Sequence, residues 1–253
     1  MEMNMKSARG GNPELEQQHA KILLEGGEKE IWGWGSPAGK VRVQNRVNWF
    51  TDVCGLRPGV RVLECGCGVG VFTRELAKTG ADITAVDIAE PLLERARQEC
   101  QSPNIQFIQD NLEDPNVLPK ESFDVICGVS ILHHLNMVNA LSALRGLAAP
   151  GAKFAFSEPN LLNPINRYYM FVDDAEKRRQ RGISPTEMAF RPRELAEYFS
   201  TAGYTIEQLH MKDFVHPAIP GRFVGVANTL GAVAEKMPLI RLWSGSIWIS
   251  GRV

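Results

Sequence analysis

The sequence lacks an excess of charge of either sign. Its 253 residues include 28 lysines and arginines against 29 aspartates and glutamates, which leaves a net charge of -1. Proteins that hold nucleic acid mainly by electrostatic attraction carry a surplus of lysine and arginine. The sequence also lacks a stripe of aromatic and basic residues. We therefore do not expect DNA or RNA as the partner.

Segments that direct a chain into or across a membrane are also missing. No run of about 18 apolar residues is present, so no membrane-spanning helix is predicted. Residues 1–13 are polar and do not contain the apolar core of a signal peptide. The five cysteines form no C-x-x-C pair, and Cys65 and Cys67 are too close together for the usual zinc spacing. We expect reduced thiols, no bound metal and a cytoplasmic location.

Residues 60–159 alternate between short apolar runs and segments with helical periodicity. This alternation is typical of successive βαβ units that build a parallel sheet with helices on both faces. Two further strands are predicted near the C-terminus. The sequence therefore predicts a doubly wound α/β fold. The predicted strands are 60–65, 82–88, 105–110, 123–130, 152–159, 204–211 and 246–253, and the predicted helices are 14–31, 41–54, 71–80, 91–100, 138–149, 191–203 and 223–237.

Several regions interrupt this pattern. Residues 1–54 are predicted to form an N-terminal helical extension, which leaves residues 55–253 as the main domain. Residues 160–190 are longer than a usual connection in an α/β fold and are predicted to be a substrate-binding insertion. The stretch 238–248 is apolar. It fits a lipid surface or, more simply, a buried connection between a helix and a strand.

Three glycines at alternate positions follow the first predicted strand. Gly66, Gly68 and Gly70 allow a tight turn and a close approach of a ligand to the backbone, just before a helix N-terminus. Asp87 and Asp110 end the second and third strands, where carboxylates can accept hydrogen bonds from a ribose and from an adenine amino group. The structural alternatives are a simple strand-to-helix turn for the glycines and capping or turn roles for the acids.

The run VLECGCGVGVFTRELAKTGADITAVDIAEPLLERAR resembles the first two motifs of class I S-adenosylmethionine-dependent methyltransferases. IQFIQDNLEDPN, FDVICGVSILHHL and APGAKFAFSEPN resemble the parts of that family that follow, so the resemblance covers about residues 60–160. It implies a Rossmann-like seven-stranded sheet of order 3-2-1-4-5-7-6 with strand seven antiparallel. It also implies S-adenosylmethionine as cofactor and S-adenosylhomocysteine as product. The cofactor-binding residues expected in this part of the chain are Glu64, Gly66, Cys67, Gly68, Gly70, Asp87, Ile88, Asp110, Asn111, Leu112 and Val129.

Two residues of the N-terminal extension are further candidates for the cofactor site. In methyltransferases with such extensions, this part of the chain often closes over the cofactor. Trp34 lies in a loop of glycines and aromatic residues, and Arg42 follows it in the next predicted helix. We expect Arg42 to pair with the cofactor carboxylate. The alternative is that both side chains pack against the edge of the sheet.

Candidates for the chemistry follow the fourth and fifth strands. His133 and His134 lie where the methyl group is expected, and one of them is the candidate general base for a hydroxyl acceptor. Glu158 ends the fifth strand and is predicted to face the substrate. Tyr168 and Tyr169 in the insertion are predicted to line the acceptor pocket. The structural alternatives are a supporting role for the histidines, an anchoring hydrogen bond for Glu158 and a small core of the insertion for the tyrosines.

The predicted function is methyl transfer from S-adenosylmethionine to a small-molecule or lipid- or saccharide-linked acceptor, with oxygen favoured as the acceptor atom. A regulatory or partner subunit that binds S-adenosylmethionine without catalysis is the alternative, since it needs the same motifs. An NAD-dependent oxidoreductase is a remote alternative. Its G-x-G-x-x-G pattern requires a glycine where this chain has Val71.

Overall fold

A computed structural model describes residues 33–171 and 189–253 of the chain, together with Gln17, Ala20, Leu24 and Lys177. The predictions for residues 1–13, for most of the helix at 14–31 and for residues 172–188 of the insertion, apart from Lys177, lie outside the described residues. The proposed division at residue 54 between an extension and a main domain stays a prediction.

The described strands form one seven-stranded sheet of order β3-β2-β1-β4-β5-β7-β6. The first five strands are parallel to one another, and β7 is antiparallel to both β5 and β6. This order confirms the expected doubly wound methyltransferase-like sheet. The strands are β1 (Arg61–Cys65), β2 (Asp82–Asp87), β3 (Ile105–Gln109), β4 (Phe123–Val129), β5 (Ala148–Pro159), β6 (Thr205–Lys212) and β7 (Ser246–Arg252).

Helices cover both faces of the sheet, and each face has its own apolar core. The first three helices pack on one face around residues such as Phe50, Leu76 and Leu93. The fourth and sixth pack on the other, around Leu141, Phe154 and Phe199. The helices are α1 (Pro37–Cys54), α2 (Val71–Ala77), α3 (Glu90–Glu99), α4 (Met137–Leu147), α5 (Pro164–Phe171), α6 (Pro192–Thr201) and α7 (Val224–Ala234).

Two predicted element boundaries differ from the structure for local reasons. Helix α1 begins at Pro37, because the Ser36 hydroxyl accepts a hydrogen bond from the backbone N–H of Gly39 at 2.9 Å and caps it. Helix α4 ends at Leu147, so the prediction that it continues to residue 149 is wrong. Strand β5 begins at Ala148, and an irregularity in its pairing with β4 accommodates Pro150 and Gly151 inside the strand.

The C-terminal part of the chain differs from its simplest prediction. Within the stretch 238–248, Leu239 is 79% exposed and Trp243 is 60% exposed, so a buried connection is wrong for these side chains. Ser244 and the end of the stretch, which belongs to β7, are buried. None of the helices in the described ranges is both long and apolar enough to cross a bilayer.

Candidate active site

A cavity of about 330 Å³ lies beyond the carboxyl ends of β1, β2 and β4. In a doubly wound sheet this is the place where ligands bind, because loops from neighbouring strands diverge there. The glycine loop after β1 forms one wall, and helix α1 forms another. Most of the predicted cofactor and catalytic residues line it, namely Trp34, Arg42, Gly66, Cys67, Gly68, Asp87, Ile88, Asp110, Asn111, Leu112, Val129, His133 and His134.

The glycine loop needs glycine for both conformation and space. Gly66, Gly68 and Gly70 have φ angles of 66°, 52° and 77°, in the left-handed region that other residues rarely adopt. A Cβ atom on Gly66 would lie 2.5 Å from a side-chain carbon of Ile131. Gly70 does not line the cavity; instead its Cβ position would meet the Cys100 Sγ atom at 2.7 Å. The loop thus packs closely while it leaves its backbone exposed to the cavity.

Asp87 fastens this loop to the end of β2. Its Oδ2 atom accepts a hydrogen bond from the Gly68 N–H at 2.9 Å, and Oδ1 accepts one from the Ala89 N–H at 2.9 Å. Burial raises the pKa of Asp87, and these two backbone bonds oppose the rise. A carboxylate oxygen has room for more than one hydrogen bond. The carboxylate can therefore hold the loop and still accept hydrogen bonds from the hydroxyl groups of a ligand in the cavity.

The carboxylate of Asp110 accepts more hydrogen bonds from the backbone than that of Asp87 does. Its two oxygens accept hydrogen bonds from the N–H groups of Asn111, Asn116, Val117 and Leu118 at 2.9 to 3.2 Å. These bonds hold the loop after β3 in its conformation. They agree with the alternative that Asp110 has a structural role in a turn. The contact with an adenine amino group stays a prediction.

Glu64 is buried at the end of β1, outside the cavity lining. Among the described residues its Oε2 atom has no hydrogen-bond partner. Cofactor binding by Glu64 stays a prediction. Burial raises the pKa of Glu64 to about 8, with a smaller contribution from Asp87 and an opposing one from the Thr73 hydroxyl. The side chain is therefore largely protonated near neutral pH.

His133 is held by a buried carboxylate. Its Nδ1 atom lies 2.7 Å from Glu158 Oε2, and the side chain of Glu158 is inaccessible to solvent. The other oxygen of Glu158 accepts hydrogen bonds from the N–H groups of Ile131 and Leu132, both at 3.0 Å. Glu158 therefore anchors the loop after β4 and does not line the cavity, and its contact with a substrate stays a prediction.

The two histidines differ in their surroundings. The rings of His133 and His134 lie 4.3 Å apart between centroids, and both line the cavity. His134 lies close enough to Asp87 to lower the pKa of that carboxyl by its charge, whereas His133 lies beside Glu158. Only His133 therefore combines a place in the cavity wall with a described carboxylate contact at its Nδ1 atom.

A pair of arginines on α1 meets one aspartate at the far end of the cavity. Arg42 Nε and Arg46 Nη2 contact the same Asp213 oxygen at 2.8 and 2.7 Å. Arg46 is buried and also donates to the hydroxyls of Ser157 and Ser246. Burial favours a higher pKa for Asp213, but the two guanidinium groups outweigh it and hold the pKa below its usual value. Two cations for one carboxylate leave a net positive charge beside the cavity.

Arg46 was missed by the sequence reasoning. It lies four residues after Arg42, so both side chains project from one face of α1. Arg42 Cζ also lies 4.6 Å from the centre of the Trp34 ring, which places both predicted residues in the cavity wall. The helical spacing was a signal for Arg46, but its partner Asp213 lies 167 residues away in sequence.

Tyr168 and Tyr169 of α5 do not line the cavity. Tyr168 is exposed, and its ring packs edge-on against Tyr169 at 5.1 Å. Helix α5 instead contributes Asn166, whose amide nitrogen donates to the carbonyl oxygens of Asn160 and Gly245. The predicted contact of the two tyrosines with an acceptor therefore stays a prediction.

The sheet order, the glycine loop and the acid after β2 together define the class of protein, a nucleotide-binding α/β enzyme with a methyltransferase-like topology. Residues 62–151 match the family model of the methyltransferase domain. A ubiquinone biosynthesis O-methyltransferase from Pseudomonas fluorescens is 31% identical over 170 residues, which cover 65% of this chain and 72% of that protein. The chain belongs to the class I S-adenosylmethionine-dependent methyltransferases, and it uses S-adenosylmethionine as its cofactor.

Further relatives agree with this assignment. A ubiquinone biosynthesis O-methyltransferase from Methylococcus capsulatus is 28% identical over 215 residues, 78% of this chain and 88% of that protein. The fold is similar to that of an S-adenosylmethionine-dependent methyltransferase from Mesorhizobium loti, with a TM-score of 0.60 at 17% identity over 83% of this chain and all of the other. Magnesium protoporphyrin IX methyltransferase from Synechocystis, solved with S-adenosylhomocysteine, has a TM-score of 0.57 at 17% identity, over 85% of this chain and 83% of the other.

Proposed function

We propose that this methyltransferase methylates a hydroxyl oxygen of a small-molecule acceptor and that His133 is the general base. The observation that carries the proposal is the contact between His133 Nδ1 and the buried Glu158 carboxylate at 2.7 Å, in the wall of the cavity. A carboxylate at Nδ1 fixes the proton on that nitrogen and leaves Nε2 as the acceptor. This is the tautomer that a base needs.

The residues around the cavity fit S-adenosylmethionine. Gly66 and Gly68 of the loop line the cavity, so a ligand can approach the backbone there, and Asp87 offers acceptors for ribose hydroxyls. Ile88 and Leu112 provide apolar surface for the adenine ring, while Arg42 and Arg46 supply positive charge for the methionine carboxylate. The assignment of these contacts is part of the proposal.

When bound, S-adenosylmethionine supplies an electrophilic methyl group on a positively charged sulfur. The chain then has to orient the acceptor hydroxyl and remove its proton as the oxygen attacks. His133 Nε2 takes that proton, and Glu158 stabilises the resulting imidazolium through Nδ1. General-base assistance of this kind contributes on the order of a hundred- to ten-thousandfold in rate.

The choice of oxygen draws on the relatives as well as on His133. The relatives from Pseudomonas and Methylococcus are named as O-methyltransferases of ubiquinone biosynthesis, and the chain covers most of each. We assign this chain the same acceptor atom in a small hydroxyl-bearing molecule. The five cysteines are all buried as thiols, which favours a reducing compartment such as the cytoplasm.

The test compares His133→Gln and Glu158→Gln with the unchanged enzyme on a panel of phenolic and amine acceptors, by measuring S-adenosylhomocysteine formation. In Glu158→Gln one side-chain oxygen remains for the Ile131 and Leu132 N–H groups, but an amide NH₂ group faces His133 and reverses its tautomer. We expect kcat on a phenol to fall by about a hundredfold or more while affinity for S-adenosylmethionine is kept.

The exposed His210 on β6 provides a matched control, since His210→Gln removes an imidazole far from the cavity. Full activity of Glu158→Gln, with an unchanged pH profile, contradicts the role of His133 as base. Transfer to amines alone contradicts the choice of oxygen.

A further inference from the structure

Helix α7 carries a continuous apolar stripe on its solvent-facing side. Val226, Leu230 and Val233 lie on the helix, Phe223 comes directly before it, and Met237 follows three residues after its end. These five residues are spaced by three or four positions, and each is between 46% and 63% exposed. At about 100° per residue they share one face of the helix. The opposite face, with Val224 and Gly231, is the buried one. Apolar stripes of this kind normally face a core, so this one lacks its covering surface among the described residues.

Two neighbouring segments also carry exposed apolar side chains. Leu239 and Trp243 lie past the end of α7, and α5 adds Ile165, Tyr168 and Phe171. The two segments are joined directly, because the Asn163 amide nitrogen donates to the Trp243 carbonyl oxygen at 2.5 Å. We call this combined surface the apolar face. It consists of Phe223, Val226, Leu230, Val233, Met237, Leu239, Trp243, Ile165, Tyr168 and Phe171.

In the described part of these segments the charged side chains are almost all positive. Arg167, Arg222, Lys236 and Arg241 are exposed on the same segments. In residues 160–171 and 214–245 the single acid is Glu235, which contacts Lys212 at 2.9 Å. Apolar side chains that are bordered by arginine and lysine are typical of helices that lie in the interface of an anionic bilayer.

The apolar face is also next to the active-site cavity. Asn166 of α5 and Gly245, which follows Trp243 by two residues, both line the cavity, and the Asn166 amide nitrogen donates to the Gly245 carbonyl oxygen at 2.9 Å. A surface on which the apolar face rests therefore lies close to one end of the cavity. An acceptor carried in that surface would have a short path to His133.

We propose that the apolar face docks on the surface of an anionic lipid bilayer. Helix α7 has only 11 residues, too few to span a bilayer, so the enzyme rests on one leaflet with this helix in the interface plane. A second copy of the chain fits less well. A symmetric pairing through this face brings the clusters around Arg222, Lys236 and Arg241 together, and like charges in contact oppose association.

The experiment is co-sedimentation of the full chain with vesicles of phosphatidylcholine alone and of phosphatidylcholine mixed with phosphatidylglycerol. The first variant combines Leu230→Asn with Leu239→Asn, and the second combines Arg222→Gln, Lys236→Gln and Arg241→Gln. The control combines Val117→Asn with Lys120→Gln, which changes an exposed apolar residue and an exposed cation elsewhere on the surface.

We expect binding to the mixed vesicles and weak binding to phosphatidylcholine alone. Each cation near an anionic surface contributes about fivefold to partitioning, so the triple charge variant loses on the order of a hundredfold. The double apolar variant loses at least about tenfold, because two large side chains no longer enter the interface. Calorimetry with S-adenosylmethionine checks that both variants retain the fold and the cofactor site.

Three results would overturn the proposal. The first is that the unchanged chain fails to sediment with the mixed vesicles. The second is that the double apolar variant and the triple charge variant both sediment as well as the control variant does. The third result is a dimer in analytical ultracentrifugation that Leu230→Asn and Leu239→Asn dissociate, without vesicle binding by the unchanged chain. That result assigns the apolar face to a second copy. Vesicle binding does not depend on methyl transfer, so failure here leaves the proposed reaction to its own test.

Discussion

Replacement of Glu64 by glutamine tests whether this buried carboxyl group keeps its proton in the folded protein. The carboxyl group is buried, and its Oε2 atom has no hydrogen-bond partner among the described residues. Its pKa is about 8 in the folded protein, against an ordinary value of 4.5. Glu64→Gln keeps the shape and removes the titration, so the two proteins differ mainly in whether this one site can release a proton.

The sign of the effect follows from proton linkage. Between about pH 5 and 7.5 the folded protein keeps the Glu64 proton, whereas the unfolded chain has released it. The stability that the protonated group contributes is therefore present at low pH and is lost as the pH rises toward 8. A difference of one bound proton corresponds to about 1.4 kcal/mol per pH unit. Across this window the free energy of unfolding of the native protein should fall relative to that of Glu64→Gln by about 3 kcal/mol.

Urea denaturation at several pH values measures this difference directly. The exposed Glu94 provides the control, because Glu94→Gln should differ from the native protein by a nearly constant amount at every pH. Other titrating groups are common to both proteins and cancel in the comparison. If the difference in the free energy of unfolding between the native protein and Glu64→Gln is constant from about pH 5 to 7.5, Glu64 is ionised in the folded state. That result would contradict the protonated Glu64 inferred above.

Two further predictions concern the loops that border the cavity. Gly66→Ala introduces a Cβ atom 2.5 Å from Ile131 at a positive φ, so thermal unfolding should occur at lower temperature and calorimetry should show weaker S-adenosylmethionine binding. Gly146→Ala in α4, where a Cβ meets no atom within 4 Å, should leave both unchanged or raise the unfolding temperature. Asp110→Ala leaves several backbone N–H groups without an acceptor, so the free energy of unfolding should fall by at least about 2 kcal/mol. Replacement of the exposed Asp114 by alanine should change it little. Equal effects of the two substitutions in urea denaturation would contradict the role of Asp110.

The sheet and the glycine loop could be predicted because their signals are local. Short β-branched runs, helical periodicity and glycines at fixed positions are properties of neighbouring residues, and the resemblance to the family supplied the strand order. Asp87 could be identified in the same way, since its position at the end of β2 determines where its carboxylate lies. These features need no knowledge of how distant parts of the chain meet.

The contacts that could not be predicted from the sequence join residues that are far apart in the chain. Arg46 meets Asp213 and Ser246 only because β7 inserts between β5 and β6 and brings their loops to α1. Glu158 was predicted near the site, but its direction depends on the turn of the loop after β4, which aims His133 at it. The orientation of α5, and with it the position of Tyr168, depends on long-range amide bonds such as Asn163 to Trp243.

We infer that the cavity beyond β1 and β2 binds S-adenosylmethionine through the glycine loop and Asp87. Calorimetric titration of the purified chain with S-adenosylmethionine tests it most directly, with Asp87→Ala as the variant and NADH as a second ligand. Asp82→Ala, which removes an exposed carboxylate from the opposite end of the same strand, is the matched control. We expect micromolar binding to the native protein and to Asp82→Ala, loss of binding in Asp87→Ala and no response to NADH. Native-like binding by Asp87→Ala, or no binding by folded native protein, would contradict it.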